Sequence, residues 1–329
     1  MFKKTMVAAM AAAVALGTAA CGSGDGDDSG SGGGGGGGDT ITMGFAQVGA
    51  ESGWRTANTA DIQRAAEDAG IELQFSDAQQ KQENQISAIR SFIQQKVDVI
   101  AFSPVVETGW DAVLLEAKRA NIPVILTDRS VDTEDESLYV TFLGSDFIEE
   151  GRKAGEWAVE NWGPLGQVNI AELQGTTGAA PALDRQEGFA DAIADTPNLK
   201  IVASQTGDFT RSGGREVMEA MLNSNPEINA VYAHNDDMGL GAIEAIEAAG
   251  KVPGKDIQII TVDAVKDGMQ ALADGKINFI VECNPLLGDQ LMELAKKVVA
   301  GEEVESRVVT EETTFTQEQA KEALPDRQY

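Results

Sequence analysis

From Thr40 onward, short apolar runs alternate with amphipathic stretches. Ile41 to Val48 predicts a strand, and Thr56 to Ala69 a helix closed by Gly70. Ile71 to Phe75 predicts a strand and Gln82 to Gln95 a helix, where Ile86, Ile89 and Ile93 fall at helical spacing and make one face apolar. A strand over Val97 to Phe102 ends before Pro104, followed by a helix over Trp110 to Ala120 and a strand over Ile122 to Leu126. The theme then restarts. Helices are expected over Phe147–Asn161, Leu183–Ile193, Gly213–Asn223, Met238–Ala249, Lys266–Ala273 and Leu286–Ala300. Strands are expected between them over Gly166–Leu173, Lys200–Gln205, Ala230–Ala233, Ile257–Val262 and Phe279–Cys283.

Strands separated by helices imply parallel sheets covered on both faces, and two successive runs imply two such sheets. The stretches over residues 97–102 and 122–126 are nearly all apolar, as strands buried on both faces should be. In doubly wound α/β folds, ligands bind beyond the carboxyl ends of the strands. Functional residues are therefore sought just after each strand.

The N-terminus reads as a compartment signal. Lys3 and Lys4 precede an apolar run from Met6 to Leu16, the length of a signal-peptide core and too short to span a bilayer. Thr18-Ala19-Ala20-Cys21 resembles the bacterial lipoprotein processing box, although that box prefers leucine where Thr18 stands. On this reading Cys21 becomes the first mature residue and carries lipid; the alternative is an ordinary secretory signal cut near Ala20. Residues 22–39 hold glycine, serine and aspartate, which bury no apolar surface, so a flexible tether is expected there. Asp and Glu number 53 against 25 Lys and Arg, a formal charge of −28, which argues against nucleic acid as a partner. Cys283 is the other cysteine, and a lipidated Cys21 would leave it no disulfide partner.

The strand ends carry the candidate chemistry. Glu51-Ser52-Gly53-Trp54-Arg55 follows the first strand, in what reads as a glycine-bearing loop. Its tryptophan is either a platform for the apolar face of a sugar ring or a pin holding the loop to the next helix. Asp128-Arg129 follows the fourth strand, either as a surface ion pair or as partners for neighbouring hydroxyls. In the second half, Gln174-Gly175-Thr176, Asp184-Arg185, Gly207-Asp208-Phe209, His234-Asn235-Asp236-Asp237, Asp263 and Glu282-Cys283-Asn284 occupy equivalent places. Asp236 or Asp237 could instead be a helix N-cap. Together these positions make a polar pocket between two domains with two aromatic faces.

The stretches GFAQVGAESGWR, DAQQKQENQI, SPVVETGWDAVL, TDRS, ELQGT, DRQEGFA, QTGDFTRSGGREVMEAM and VYAHNDDMGLGAI resemble the ribose/galactose class of periplasmic sugar-binding proteins, the solute receptors of ABC importers. Within that class the likeness is strongest to galactofuranose binders. The resemblance implies two doubly wound parallel-sheet α/β domains joined by a three-segment hinge, the periplasmic binding protein type I fold. The domains would be residues 40–145 plus 284–310 and residues 146–283 plus 311–329, after a signal segment at 1–21 and a linker at 22–39. It implies sugar contacts from Ser52, Trp54, Arg55, Asp128, Arg129, Arg185, Phe209, Asn235 and Asp263, with Trp54 and Phe209 on the ring. Asp128 and Arg129 would hold one side of the hydroxyl belt, and Arg185, Asn235 and Asp263 the other. Cys283 stands where ribose-binding members carry glutamine, which weighs against ribose. The implied partners are a monosaccharide and ABC permease subunits, with a lipid anchor as the sole membrane contact. A monomer on the outer face of the cell membrane is expected, without cofactor or metal.

Other functions fit less well. His234 is the single histidine, no G-x-S-x-G or metal-ligand cluster occurs, and adjacent Asp236 and Asp237 do not suit a glycosidase pair, so no enzyme is expected. A sugar-responsive repressor would need a basic helix-turn-helix where the signal segment stands. A receptor presenting a sugar or inositol to a sensor would show the same pocket.

Overall fold

A computed structural model describes residues 40–329, so the expected signal segment, the Cys21 lipidation site and the glycine-rich stretch lie outside the described residues. The first half contains β1 (Thr42–Gln47), α1 (Gly53–Ala69), β2 (Glu72–Asp77), α2 (Gln82–Gln95), β3 (Val99–Phe102), α3 (Asp111–Arg119), β4 (Val124–Thr127) and β5 (Thr141–Gly144). It is followed by α4 (Phe147–Trp162), β6 (Val168–Gln174), α5 (Ala180–Ile193), β7 (Leu199–Thr206), α6 (Arg211–Ser224), β8 (Ala230–Ala233), α7 (Asp236–Ala248), β9 (Gln258–Asp263), α8 (Lys266–Ala273) and β10 (Phe279–Glu282). The chain finishes with α9 (Gly288–Val299), β11 (Arg307–Val309), β12 (Thr314–Phe315) and α10 (Gln317–Ala323).

These strands form two sheets, ordered β11-β5-β4-β3-β1-β2 and β12-β10-β9-β8-β6-β7. The first is parallel throughout; in the second, β12 runs antiparallel to β10. The two α/β domains expected from the sequence are thus present. The chain passes between them after β5, after β10 and after β11. In each sheet the winding reverses beside one central strand, β1 or β6, which opens a crevice at the strand carboxyl ends.

Alternation along β3 shows what holds a domain together. Val99, Ile100, Ala101 and Phe102 are fully buried. Ile100 and Phe102 pack with Phe92 from α2, Leu114 from α3 and Trp110 just before α3, while Val99 and Ala101 pack with Ile62 and Leu291 from α1 and α9. Each large side chain so buried contributes about 1.5–3 kcal/mol. In the second domain α4 and α5 lie backbone to backbone. A Cβ on Gly151 would stand 2.4 Å from the Arg185 carbonyl oxygen, so glycine is what brings Glu150 beside Arg185.

Several boundaries differ from expectation. The α1 helix begins at Gly53, not Thr56, because the Ser52 hydroxyl accepts the Arg55 N–H at 3.1 Å and caps it. Trp54 and Arg55 therefore sit on the first helical turn rather than in a loop. The cap of α7 is Asn235, not Asp236 or Asp237. The pattern also missed β5, β11, β12 and α10; β11 and β12 have three and two residues, too few for a period to show.

Candidate functional site

Ser52, Trp54, Arg55, Asp128, Arg129, Arg185, Phe209, Asn235 and Asp263, scattered over both halves of the sequence, line one cavity together with Glu51, Pro181 and Cys283. It lies between the domains at the strand carboxyl ends and holds about 290 Å³ free of protein atoms, open solvent included. None of the nine exceeds 9% exposure, so the cleft is nearly shut.

The first-domain wall is a charge network. Arg55 donates from Nε to Glu51 Oε1 at 3.1 Å and from Nη2 to Asp128 Oδ2 at 2.5 Å. Burial alone would lower its pKa, but Asp128 and Glu51 outweigh that and raise it. Ser103 Oγ also donates to Asp128 Oδ2, at 2.9 Å. Arg129 donates to the Val105 carbonyl at 3.3 Å and to Glu51 Oε1 at 3.4 Å. Burial, and then the positive charge of Arg55, lowers Arg129 to about 10, which still leaves it cationic at neutral pH. Arg55 is thus largely spent on protein partners, whereas Arg129 retains free donors.

The second-domain wall centres on Arg185. Its Nε donates to Glu150 Oε2 at 2.6 Å and its Nη1 to the His234 carbonyl at 2.6 Å, while Nη2 lies 3.8 Å from Asp263 Oδ1. Burial pushes the Asp263 carboxyl up, against the pull of Arg185. Asn235 Oδ1 accepts the Met238 N–H at 3.0 Å, and its Nδ2 donates to the Phe209 carbonyl at 3.1 Å. Asp128 (φ 62°) and Phe209 (φ 60°) are left-handed, a conformation costing roughly 1–2 kcal/mol per residue. Arg55 and Ser103 hold the first in place, and Asn235 the second.

Three contacts join the walls. Trp54 Nε1 donates to the Cys283 carbonyl at 2.7 Å, so the indole is both pinned and part of the lining. The Arg129 guanidinium lies 5.3 Å from the Phe209 ring centroid, and the Gly53 N–H donates to Asp237 Oδ2 at 2.7 Å. Asp236 points elsewhere, accepting from Thr261 Oγ1 at 2.5 Å and the Val265 N–H at 2.8 Å. Buried His234 lies between the Gly175 N–H and Glu172. Neither residue lines the cavity.

Three buried side-chain atoms of the lining have no protein partner: Glu51 Oε2, Arg129 Nε and Asp263 Oδ2. Leaving such a group unmatched costs about 1–3 kcal/mol. The lining balances three arginines against Glu51, Asp128 and Asp263. It is built to take a neutral molecule rich in hydrogen-bonding groups. Glu51 was not among the nine, although it directly follows β1 within the same motif. Glu150, buried behind Arg185, left no local signal.

Residues 43–303 match the periplasmic binding protein domain. The chain belongs to the periplasmic binding protein family. It is a sugar-binding member of the ABC-transporter class, an extracytoplasmic binder and not an enzyme. It is 50% identical over 290 residues to the galactofuranose-binding protein YtfQ of Escherichia coli K12, covering 86% of this chain and 90% of that one. A Mycobacterium smegmatis protein solved in complex with β-D-fucofuranose is 69% identical with a TM-score of 0.87, covering 88% of this chain and 96% of that one. The binding protein of the arabinose ABC transporter of Shewanella sp. ANA-3, solved with α- and β-L-arabinofuranose, is 50% identical with a TM-score of 0.84, over 88% and 96% of the two chains.

One substitution probes the aromatic wall without touching a polar group. A Cβ on Gly175 would fall 1.9 Å from Phe209 Cζ, so Gly175→Ala must displace that ring. An aromatic contact is worth about 0.5–1.5 kcal/mol, so the expected loss of sugar affinity by calorimetry is up to about tenfold. Unchanged affinity would mean that the Phe209 ring does not bound the sugar.

Proposed function

We propose that the chain captures one neutral monosaccharide in its furanose form, galactofuranose or a close stereochemical relative, and delivers it to the permease of an ABC importer. The observation that carries this reading is the charge-balanced, buried cavity with unmatched polar atoms at Glu51, Arg129 and Asp263. Sugar hydroxyls donate and accept, and so complete carboxylates and a guanidinium alike. Trp54 and Phe209 supply apolar surface for ring C–H groups. Arg55 and Asn235 hold Asp128 and Phe209 in place and offer their remaining N–H groups, and Ser52 offers its O–H. The three relatives that carry furanose names or ligands support the ring form. Residues 40–145 plus 284–310 would close on residues 146–283 plus 311–329 about the three crossings.

Free sugars interconvert between ring forms, so the test identifies the bound one. Titration with D-galactose, D-fucose, L-arabinose, D-ribose and D-glucose ranks the ligands, and the bound C1 resonance of 13C-labelled galactose reports the ring. One site per chain with a furanose C1 shift is expected. Binding of none of these sugars, or a pyranose shift, would overturn the proposal.

The anchor is proposed on sequence alone. With Cys21 lipidated, the protein should fractionate with membranes, and Cys21→Ser should release or mislocalise it. An unchanged fraction for that variant would remove the anchor.

A further inference from the structure

The three crossings between the domains meet at one side chain that the sugar site does not use. Glu312, on the third crossing, accepts through Oε1 from Ser145 Oγ on the first crossing, from the Asn284 N–H on the second at 3.1 Å, and from Thr310 Oγ1 on its own at 3.0 Å. Behind it the Glu312 and Glu150 carboxyls and the Cys283 thiol lie within 4.8 Å of one another. Glu150 is 1% exposed; its Oε2 is taken by Arg185, and its Oε1 has no protein partner.

Glu150 is buried while Glu312 is half-buried, and a buried carboxyl beside a like charge favours its neutral form. Arg185 offsets only part of this. Glu312 Oε1 already accepts from three donors and Glu150 Oε1 has no partner, so the missing hydrogen belongs on Glu150 Oε1. Burial, only partly offset by Arg185, pushes Glu150 up to about 8, and Glu312 adds to the rise. The other groups facing the cluster do not supply that hydrogen. Cys283 is itself pushed up by burial. The Lys153 amine is turned to the Glu312 carbonyl at 3.2 Å. The Tyr232 hydroxyl is directed to the Arg185 carbonyl at 3.3 Å. Tyr329 is bound to Glu282 at 3.1 Å. Asp263, beyond Arg185, is a second buried carboxyl and therefore the competing candidate.

We propose that closure on sugar draws one proton from solvent onto Glu150, behind the crossings that meet at Glu312, so that the hinge couples sugar affinity to pH. The inference rests on the closing receptor described above. In the open protein, water would reach Arg185 and the groups around it, which relieves the burial that raises Glu150. The closed form therefore holds the proton more tightly. The sign follows: affinity is highest below the open-state pKa and is lost as pH rises through about 8, by at most about tenfold per pH unit for one proton.

Calorimetric titration of the mature protein with D-galactose near pH 7.5, in buffers of low and high ionisation enthalpy, measures the uptake. Up to one proton per sugar is expected, with affinity falling between pH 7 and 9. Glu312→Gln keeps an acceptor for Ser145 and Asn284 and removes the neighbouring charge that adds to the rise of Glu150, so uptake should shrink and the pH profile move to lower pH. Asp263→Asn should retain uptake, although its affinity falls. Heats that are equal in both buffers for the wild type would overturn the inference, as would uptake unchanged in Glu312→Gln but lost in Asp263→Asn. Absence of any sugar heat would instead strike the receptor reading itself.

Discussion

Arg129→Ala is expected to weaken sugar binding by about one to two orders of magnitude, since a hydrogen bond to a charged group is worth about 1.5–3 kcal/mol. The guanidinium is 3% exposed and its Nε has no protein partner, so the closed protein needs a ligand oxygen there. In the open protein water takes that place. The contact therefore belongs mainly to the closed state, and a ligand shifts closure only by its differential affinity. Little should happen to the fold, because Glu51 keeps Arg55 at 3.1 Å. The expected result is a higher calorimetric Kd, a melting temperature nearly unchanged without sugar, and compaction by small-angle scattering that needs more sugar. Wild-type affinity in a folded variant would move the pocket elsewhere.

Arg185→Met should do greater damage, to stability as well as binding. Its guanidinium is shared by Glu150, the His234 carbonyl and, at longer range, Asp263. Methionine fills much of the volume but leaves two buried carboxyls without a cation. Breaking a buried ion pair from one side costs about 3–5 kcal/mol. Part of that loss is avoided when the carboxyls take protons, and this makes the effect pH-dependent. An acid whose folded pKa is raised stabilises the fold while protonated and loses that contribution as pH rises. The melting temperature of the variant should therefore fall relative to wild type, and fall further from pH 6 to pH 9. Sugar affinity should drop by more than two orders of magnitude. A variant melting like wild type across that range would mean that Arg185 does not neutralise Glu150.

Parallel α/β topology pointed to the stretches after the strands, and the family resemblance implied the nine residues within them, which stand at those ends or on the helices just after them. Contacts across the fold were less legible. Glu150 and Arg185 are separated by 35 residues and meet because Gly151 lets α4 and α5 touch. Trp54 reads equally well as platform or pin; in the structure it sits on α1 with its N–H tied to the Cys283 carbonyl, while the indole lines the cavity. The role of Glu312 depends on β11 and β12, whose few residues show no strand period. Glu51 is legible from position alone, since it opens the motif that follows β1.

A crystal structure of the mature protein saturated with D-galactose would show directly which atoms hold the sugar. One sugar should lie between Trp54 and Phe209, with its oxygens within hydrogen-bonding distance of Glu51 Oε2, Arg129 Nε and Asp263 Oδ2. A sugar bound outside that cavity, or bound within it while those three atoms face only water, would contradict the account.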